Sequence, residues 1–208
     1  MRVQYVDGYK IRQELDVDFN IIHFRHTNPA FFISKWYIPE GEIWLDHKFR
    51  AEEEFLVEME TTQMPDYSRQ AYLKRFGQTG QPARLVSRED KQSNGLTIQY
   101  VDGSQVRRYL DPQFVIGGHD LVYDYVPRQT IWVEQALDEH EWPHILKHEA
   151  YERSLMAQGK DYDVAHDFAC AAEKESRRLA GGSYIGDEEH TRQIDFSAFY
   201  VRSSTAQS

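Results

Sequence analysis

Val3-Gln4-Tyr5-Val6-Asp7-Gly8 returns 95 positions later as Ile98-Gln99-Tyr100-Val101-Asp102-Gly103, and the fold is decided by how this pair is read. Between residues 3–23 and 98–118, ten of twenty-one positions are identical, among them Arg12 with Arg107, Leu15 with Leu110, Asp16 with Asp111 and Phe19 with Phe114. The likeness resumes at Tyr37-Ile38-Pro39 and Ile43-Trp44 against Tyr125-Val126-Pro127 and Ile131-Trp132, now at an offset of 88. The first copy therefore holds seven additional residues around positions 25–34. Two copies are too few for a solenoid, so the pattern implies a pseudo-twofold internal duplication, as two related lobes or one symmetric domain.

Each copy opens on a β-branched and aromatic run, residues 3–6 or 96–101. Asp-Gly follows as a turn, then a short helical stretch ending near Leu15 or Leu110. In the second copy, further strands are expected over residues 120–126 and 130–134, joined by a hairpin turn at Val126-Pro127-Arg128-Gln129. The expected fold class is α+β, two repeated strand-rich segments each followed by helices. The expected divisions are an N-terminal lobe over residues 1–77, a linker rich in Gln, Ser, Gly and charge over 78–95, a C-terminal lobe over 96–182 and an extension over 183–208.

Composition narrows the function classes. A hydrophobic fraction of 40% with 13% aromatic residues supports a core, and the formal charge of −10 argues against non-specific nucleic-acid binding, which needs a basic surface. Cys170 is the only cysteine, which excludes a disulfide framework and a Cys-rich zinc cluster. Neither a leader pattern nor an apolar run of membrane-spanning length is present, and the expectation is a cytoplasmic protein with no membrane partner.

The chemistry concentrates in His144-Ile145-Leu146-Lys147-His148-Glu149-Ala150-Tyr151-Glu152. At 100° per residue, Ile145, His148, Glu152, Leu155 and Met156 share one helix face with Glu149 at its margin, which places ionisable groups in an apolar stripe. Burying such groups without partners is costly, so they imply a metal, an ion pair or catalysis. Asp138 with Glu141 offers a capping box for this helix, Pro143 is tolerable near its start, and Gly159 stops it. Asp161 or Asp163 caps a second helix reaching about Ala180, with Val164, Phe168, Ala172 and Leu179 as its main apolar stripe. His166, Ala169, Cys170 and Glu173 form a second side of smaller residues.

The pattern His148-Glu149-x-x-Glu152 resembles the H-E-x-x-H signature of zincin metallohydrolases and metallopeptidases, with Glu152 where the second histidine stands. That resemblance implies Zn2+ held by His148, Glu152 and His166, and Glu149 as the general base that activates the attacking water. It implies hydrolysis of a peptide or amide bond in a peptide or protein substrate. His144 competes as a ligand, being four residues before His148, but lies about 12 Å of helical rise from Glu152. His119, after Gly117-Gly118, is a further catalytic candidate, as donor to a tetrahedral intermediate or as an additional ligand. Cys170, four residues after His166, is a ligand candidate or a small buried hydrophobe. Tyr151 and Tyr162 are candidate oxyanion donors.

The first copy lacks this constellation: on the offset of 88, Glu60, Thr61 and Met64 stand for His148, Glu149 and Glu152. The first lobe is therefore expected to be degenerate. The competing reading is a non-catalytic binding or inhibitory protein in which these side chains form a buried polar network.

Overall fold

The computed structural model describes residues 1–25, 35, 37–184 and 194–201. The chain is α+β, with six α-helices and two mixed sheets, of three and four strands, among the described residues. It divides into two compact units, Met1–Thr61 with Ser183–Ser208, and Thr62–Gly182. No helix among the described residues is long and apolar enough to cross a membrane.

The first unit is built from β1 (Arg2–Val6), α1 (Gly8–Glu14), β2 (Ile22–Phe24), β3 (Glu42–Asp46), a 3-10 turn over His47–Glu52 and α2 (Glu53–Thr61). Its sheet has the order β1-β3-β2, parallel between β1 and β3 and antiparallel between β2 and β3. Asp-Gly, expected as a turn, starts the helix directly: the Asp7 side chain accepts from the Lys10 backbone N–H and caps α1. Arg12 is fully buried, donating to the carbonyls of Phe19 and Asn20 at 3.1 and 2.9 Å and to Asp46 Oδ2 at 3.1 Å. Gly8 is required by this pair, because a Cβ there would lie 1.9 Å from Asp46 Oδ2. Val6, Ile11, Phe19, Ile38, Trp44 and Phe199 fill the core beside it. The C-terminal stretch returns to this unit: Tyr184 donates its hydroxyl to the Arg12 carbonyl at 2.7 Å, and Val6 bridges to Tyr200.

The second unit holds α3 (Arg69–Phe76), β4 (Val86–Lys91), β5 (Thr97–Val101), α4 (Gly103–Tyr109), β6 (Gly117–His119), β7 (Thr130–Glu134), α5 (Trp142–Ala157) and α6 (Tyr162–Leu179). Its sheet order is β4-β5-β7-β6, with β5 and β7 parallel and β6 antiparallel to β7. Asp102 caps α4, and buried Arg107 donates to Glu134 Oε2 at 3.1 Å and to the carbonyls of Phe114 and Val115, each at 3.4 Å.

Several expectations change. The division falls between Thr61 and Thr62 rather than after residue 77, and the segment 78–95 is not a free linker, because it carries β4, paired antiparallel with β5. Residues 120–126 form turns rather than a strand, and the strand is Gly117–His119. The backbone hydrogen bonds of Val122 and Tyr123 to the His119 carbonyl bend the chain there. Glu141 makes no side-chain cap on α5, and its carboxylate instead meets Arg177. The insertion expected around 25–34 lies outside the described residues from position 26 onward.

Candidate metal centre

Pro143 sits in the first turn of α5, where its missing N–H costs nothing. Gly159, at φ +91°, ends the helix in the left-handed region. The Asp161 side chain accepts the Val164 N–H at 3.0 Å and starts α6 at once, so the short connection turns the chain back and α6 packs along α5.

The packing reverses one expectation about α6. Val164, Phe168 and Leu179 are exposed, at 39, 50 and 76%, while Ala165, Ala169, Glu173 and Arg177 are the buried positions. Two alanines let the helices approach closely, and that approach selects the small-residue side over the larger apolar one. His166 and Cys170 border this buried side and so come to α5.

Glu152, buried at 3% exposure, is the hub. Its Oε1 lies 3.0 Å from Nε2 of His119, and its Oε2 lies 2.8 Å from Nδ1 of His166 and 3.4 Å from Nε2 of His148. His148 Nδ1 lies 3.0 Å from Glu173 Oε2 without the alignment of a hydrogen bond. On the other edge of the His166 ring, Nε2 is 3.5 Å from Cys170 Sγ, and Tyr162 stacks on the ring at 5.4 Å. The structure thus brings His148, Glu149, Glu152, His166 and His119 together. His144 is held apart, with Nδ1 2.8 Å from Ser176 Oγ.

His119, the further catalytic or ligand candidate, comes to Glu152. It is fully buried, its Nδ1 accepts the Leu121 N–H at 3.2 Å, and the proton therefore sits on Nε2, which donates to Glu152. Through that bond His119 orients Glu152. His119, Glu149 and Glu152 also offer ligand atoms that lie within 4.8 Å of one another. Asp120, next in sequence, is pinned to Arg153 of α5 by two hydrogen bonds of 2.5 and 3.1 Å, which fixes β6 against the helix. Tyr151 is exposed on α5, and its neighbours include none of these side chains by hydrogen bond among the described residues.

Glu149 is buried beside β6, and its carboxylate lies where a Cβ on Gly117 would be 2.5 Å from Oε1. Unlike Glu152, it has no hydrogen bond or ion pair among the described residues. Burial pushes its carboxyl up to about 7, with Glu152 adding to the rise and His148 and His119 opposing it. Burial works against the charge on His148, but Cys170, Glu152 and Glu173 outweigh it and push the imidazole up to about 12. Glu152 is held far below the usual carboxylate range: burial would raise it, and the three imidazoles more than reverse that. Burial likewise pushes the Cys170 thiol up, and His148 and His166 draw it below its ordinary value.

Sequence reasoning did not assign a role to Glu173 and Arg177. Arg177, fully buried, donates to Glu173 Oε1 from Nε at 2.9 Å and also meets Glu141, so Glu173 is fixed facing His148. The signal was the i, i+4 pair on the same side as Ala169 and Cys170.

Two imidazoles and a carboxylate converging from two helices fit a borderline divalent cation such as zinc, which takes nitrogen and oxygen donors at close range. His166 Nδ1 is hydrogen-bonded to the same Glu152 oxygen that His148 Nε2 approaches. A carboxylate facing the far nitrogen of His148 is the usual support of a metal-binding imidazole. No protein family, curated protein or solved structure matches the chain.

Proposed function

We propose that the chain is a zinc-dependent hydrolase of peptide or amide bonds, similar in logic to the zincins, with His148, His166 and Glu152 as ligands and Glu149 as the general base. The observation that carries this reading is the convergence of the two imidazoles on buried Glu152, with Glu149 one residue after His148 and free of any ion-pair partner among the described residues. A bound divalent ion supplies Lewis acidity, polarising the scissile carbonyl and making water easier to deprotonate. The chain's own residues do the rest. Glu149 takes the proton of the attacking water and delivers it to the leaving amine. His119 fixes the Glu152 carboxylate through Nε2–H, and Glu173, clamped by Arg177, faces the outer nitrogen of His148. Gly117 leaves the space that Glu149 occupies.

We also infer that the two units descend from one duplicated segment and that only the second carries the centre. The shared residues and the matching strand arrangements of β1-β3-β2 and β5-β7-β6 support this. The acidic charge and single cysteine are in keeping with a cytoplasmic peptide or protein substrate rather than a nucleic acid.

The test is elemental mass spectrometry on protein purified without affinity-tag metal, followed by peptide hydrolysis assays. Wild type should carry zinc and lose activity to a chelator, with zinc restoring it. Glu149→Gln should keep the metal and the circular dichroism spectrum while losing hydrolysis by at least about two orders of magnitude. Loss of metal in Glu149→Gln would make Glu149 a ligand. A wild type that binds no metal and cleaves nothing would leave the side chains as the buried network of a binding protein.

A further inference from the structure

Cys170 has surroundings unlike those of a buried apolar side chain. It lies one helical turn after His166, and its Sγ is 3.5 Å from Nε2 of that ring. The ligand atoms offered by His148, His166 and Cys170 all lie within 4.8 Å of one another. Zinc binds sulfur at about 2.3 Å and imidazole nitrogen at about 2.0 Å, so the sulfur–nitrogen edge of a tetrahedral site is about 3.5 Å. The observed separation matches that edge. An alanine or a serine would fill the space as well, but neither offers a soft donor there.

Resting on the metal reading above, we propose that Cys170 is a metal ligand, its thiolate joining His148 and Nε2 of His166 to make a sulfur-containing centre. Glu152 meets the opposite edge of the His166 ring, at Nδ1. There it accepts Nδ1–H and holds the ring in place, so that Cys170 takes the position in the ligand set given above to Glu152. A thiolate selects zinc, cobalt or cadmium over magnesium, calcium or manganese, whose preference is for oxygen. The cofactor class is accordingly a thiophilic divalent cation. On binding, the Cys170 S–H proton leaves to solvent and the sulfur lone pair forms the metal bond, with no change of oxidation state.

Cobalt(II) reports the ligands independently of activity. Metal-free full-length protein titrated with Co2+ alone should show tetrahedral d–d absorption together with a sulfur-to-cobalt charge-transfer band in the near ultraviolet. Cys170→Ser should lose that near-ultraviolet band while still binding cobalt, with its affinity reduced by about 10-fold or more, within the range reported for lost supporting interactions at metal sites. An excess of Mg2+ should not displace the cobalt, whereas Zn2+ should. Cobalt bound by wild type without the charge-transfer band would overturn the thiolate assignment and leave the metal reading intact. Failure of wild type to bind cobalt or zinc at all would overturn both. A band that survives in Cys170→Ser would assign it to some other transition and again exclude Cys170.

Discussion

The three residues of β2 and the three of β6 occupy the same register. Ile22, His23 and Phe24 face Leu45, Trp44 and Ile43, while Gly117, Gly118 and His119 face Val133, Trp132 and Ile131. Around them the two units match closely: a capped short helix, and a buried arginine joined to an acid on the last strand, Arg12 to Asp46 and Arg107 to Glu134. A tyrosine hydroxyl also donates to the aspartate after that helix, Tyr37 to Asp16 and Tyr125 to Asp111. The contrast lies in what fills the space over the sheet. The first unit fills it with isoleucine and phenylalanine, whereas the second empties it with glycine and lets a carboxylate and an imidazole in. The arginine–acid pair belongs to the scaffold, and the proposed chemistry rests on the α5–α6 pair and the stripped strand beneath it.

The sharpest way to break this contrast is metal stoichiometry. His148→Ala or His166→Ala should abolish binding by elemental mass spectrometry, and His144→Ala should keep most of it, with folding checked by circular dichroism. Two equivalents held at independent sites of similar affinity would show that the first unit also binds metal. Next in size, Gly117→Ala restores part of what Ile22 supplies in the first unit. Its new Cβ displaces Glu149, and hydrolysis should fall by about 10²-fold, the order expected for a misplacement near 1 Å, with metal retained. A variant with unchanged kcat/KM would show that Glu149 needs no such space.

The scaffold should respond alike in both units. Removing Arg12 or Arg107 takes the guanidinium away from buried Asp46 or Glu134, at a cost of about 3–5 kcal/mol in each case, measured by denaturant unfolding. A large cost in one unit and none in the other would break the equivalence. The smallest effect concerns Glu60, which stands where His148 stands in the second unit. Burial pushes it up to about 7 from 4.5, so the folded state favours the protonated form. Its contribution is full below about 4.5 and is lost as pH rises through about 7. Glu60→Gln should therefore flatten the decline of thermal stability between pH 5 and 8. An unchanged decline would place the titrating group elsewhere.

Much of the scaffold was legible because it is written in short-range chemistry. The β-branched runs pointed to β1 and β5 and Gly159 to the stop of α5, while Asp-Gly, read as a turn, proves to be the cap of each short helix. The i, i+4 spacing pairs His148 with Glu152 on paper and the neighbouring helix offers His166, but spacing alone leaves His144 and Cys170 open as competitors. Other features depend on tertiary packing. Gly117-Gly118-His119 has little strand propensity of its own and becomes a strand only by pairing with β7. The exposed side of α6 is its more apolar side, because the approach of α5 favours Ala165 and Ala169 over Val164 and Phe168. Glu173 and Arg177 read as an ordinary helical ion pair until α5 is seen to place His148 against them.

The turn at Gly159 has a kinetic consequence. Four of the residues that face the centre, His148, Glu152, His166 and Glu173, lie within 26 positions on two helices joined by a tight connection. The loop that must close to bring them together is short, so its entropic cost is small and its contacts are local. His119 and Gly117, by contrast, are placed only when β6 docks on β7, a contact of longer range. The half proposed to bind the ion is thus expected to assemble before the half that orients Glu152 and makes room for Glu149. On the proposed function, a chain still folding would hold its cation before it could use it.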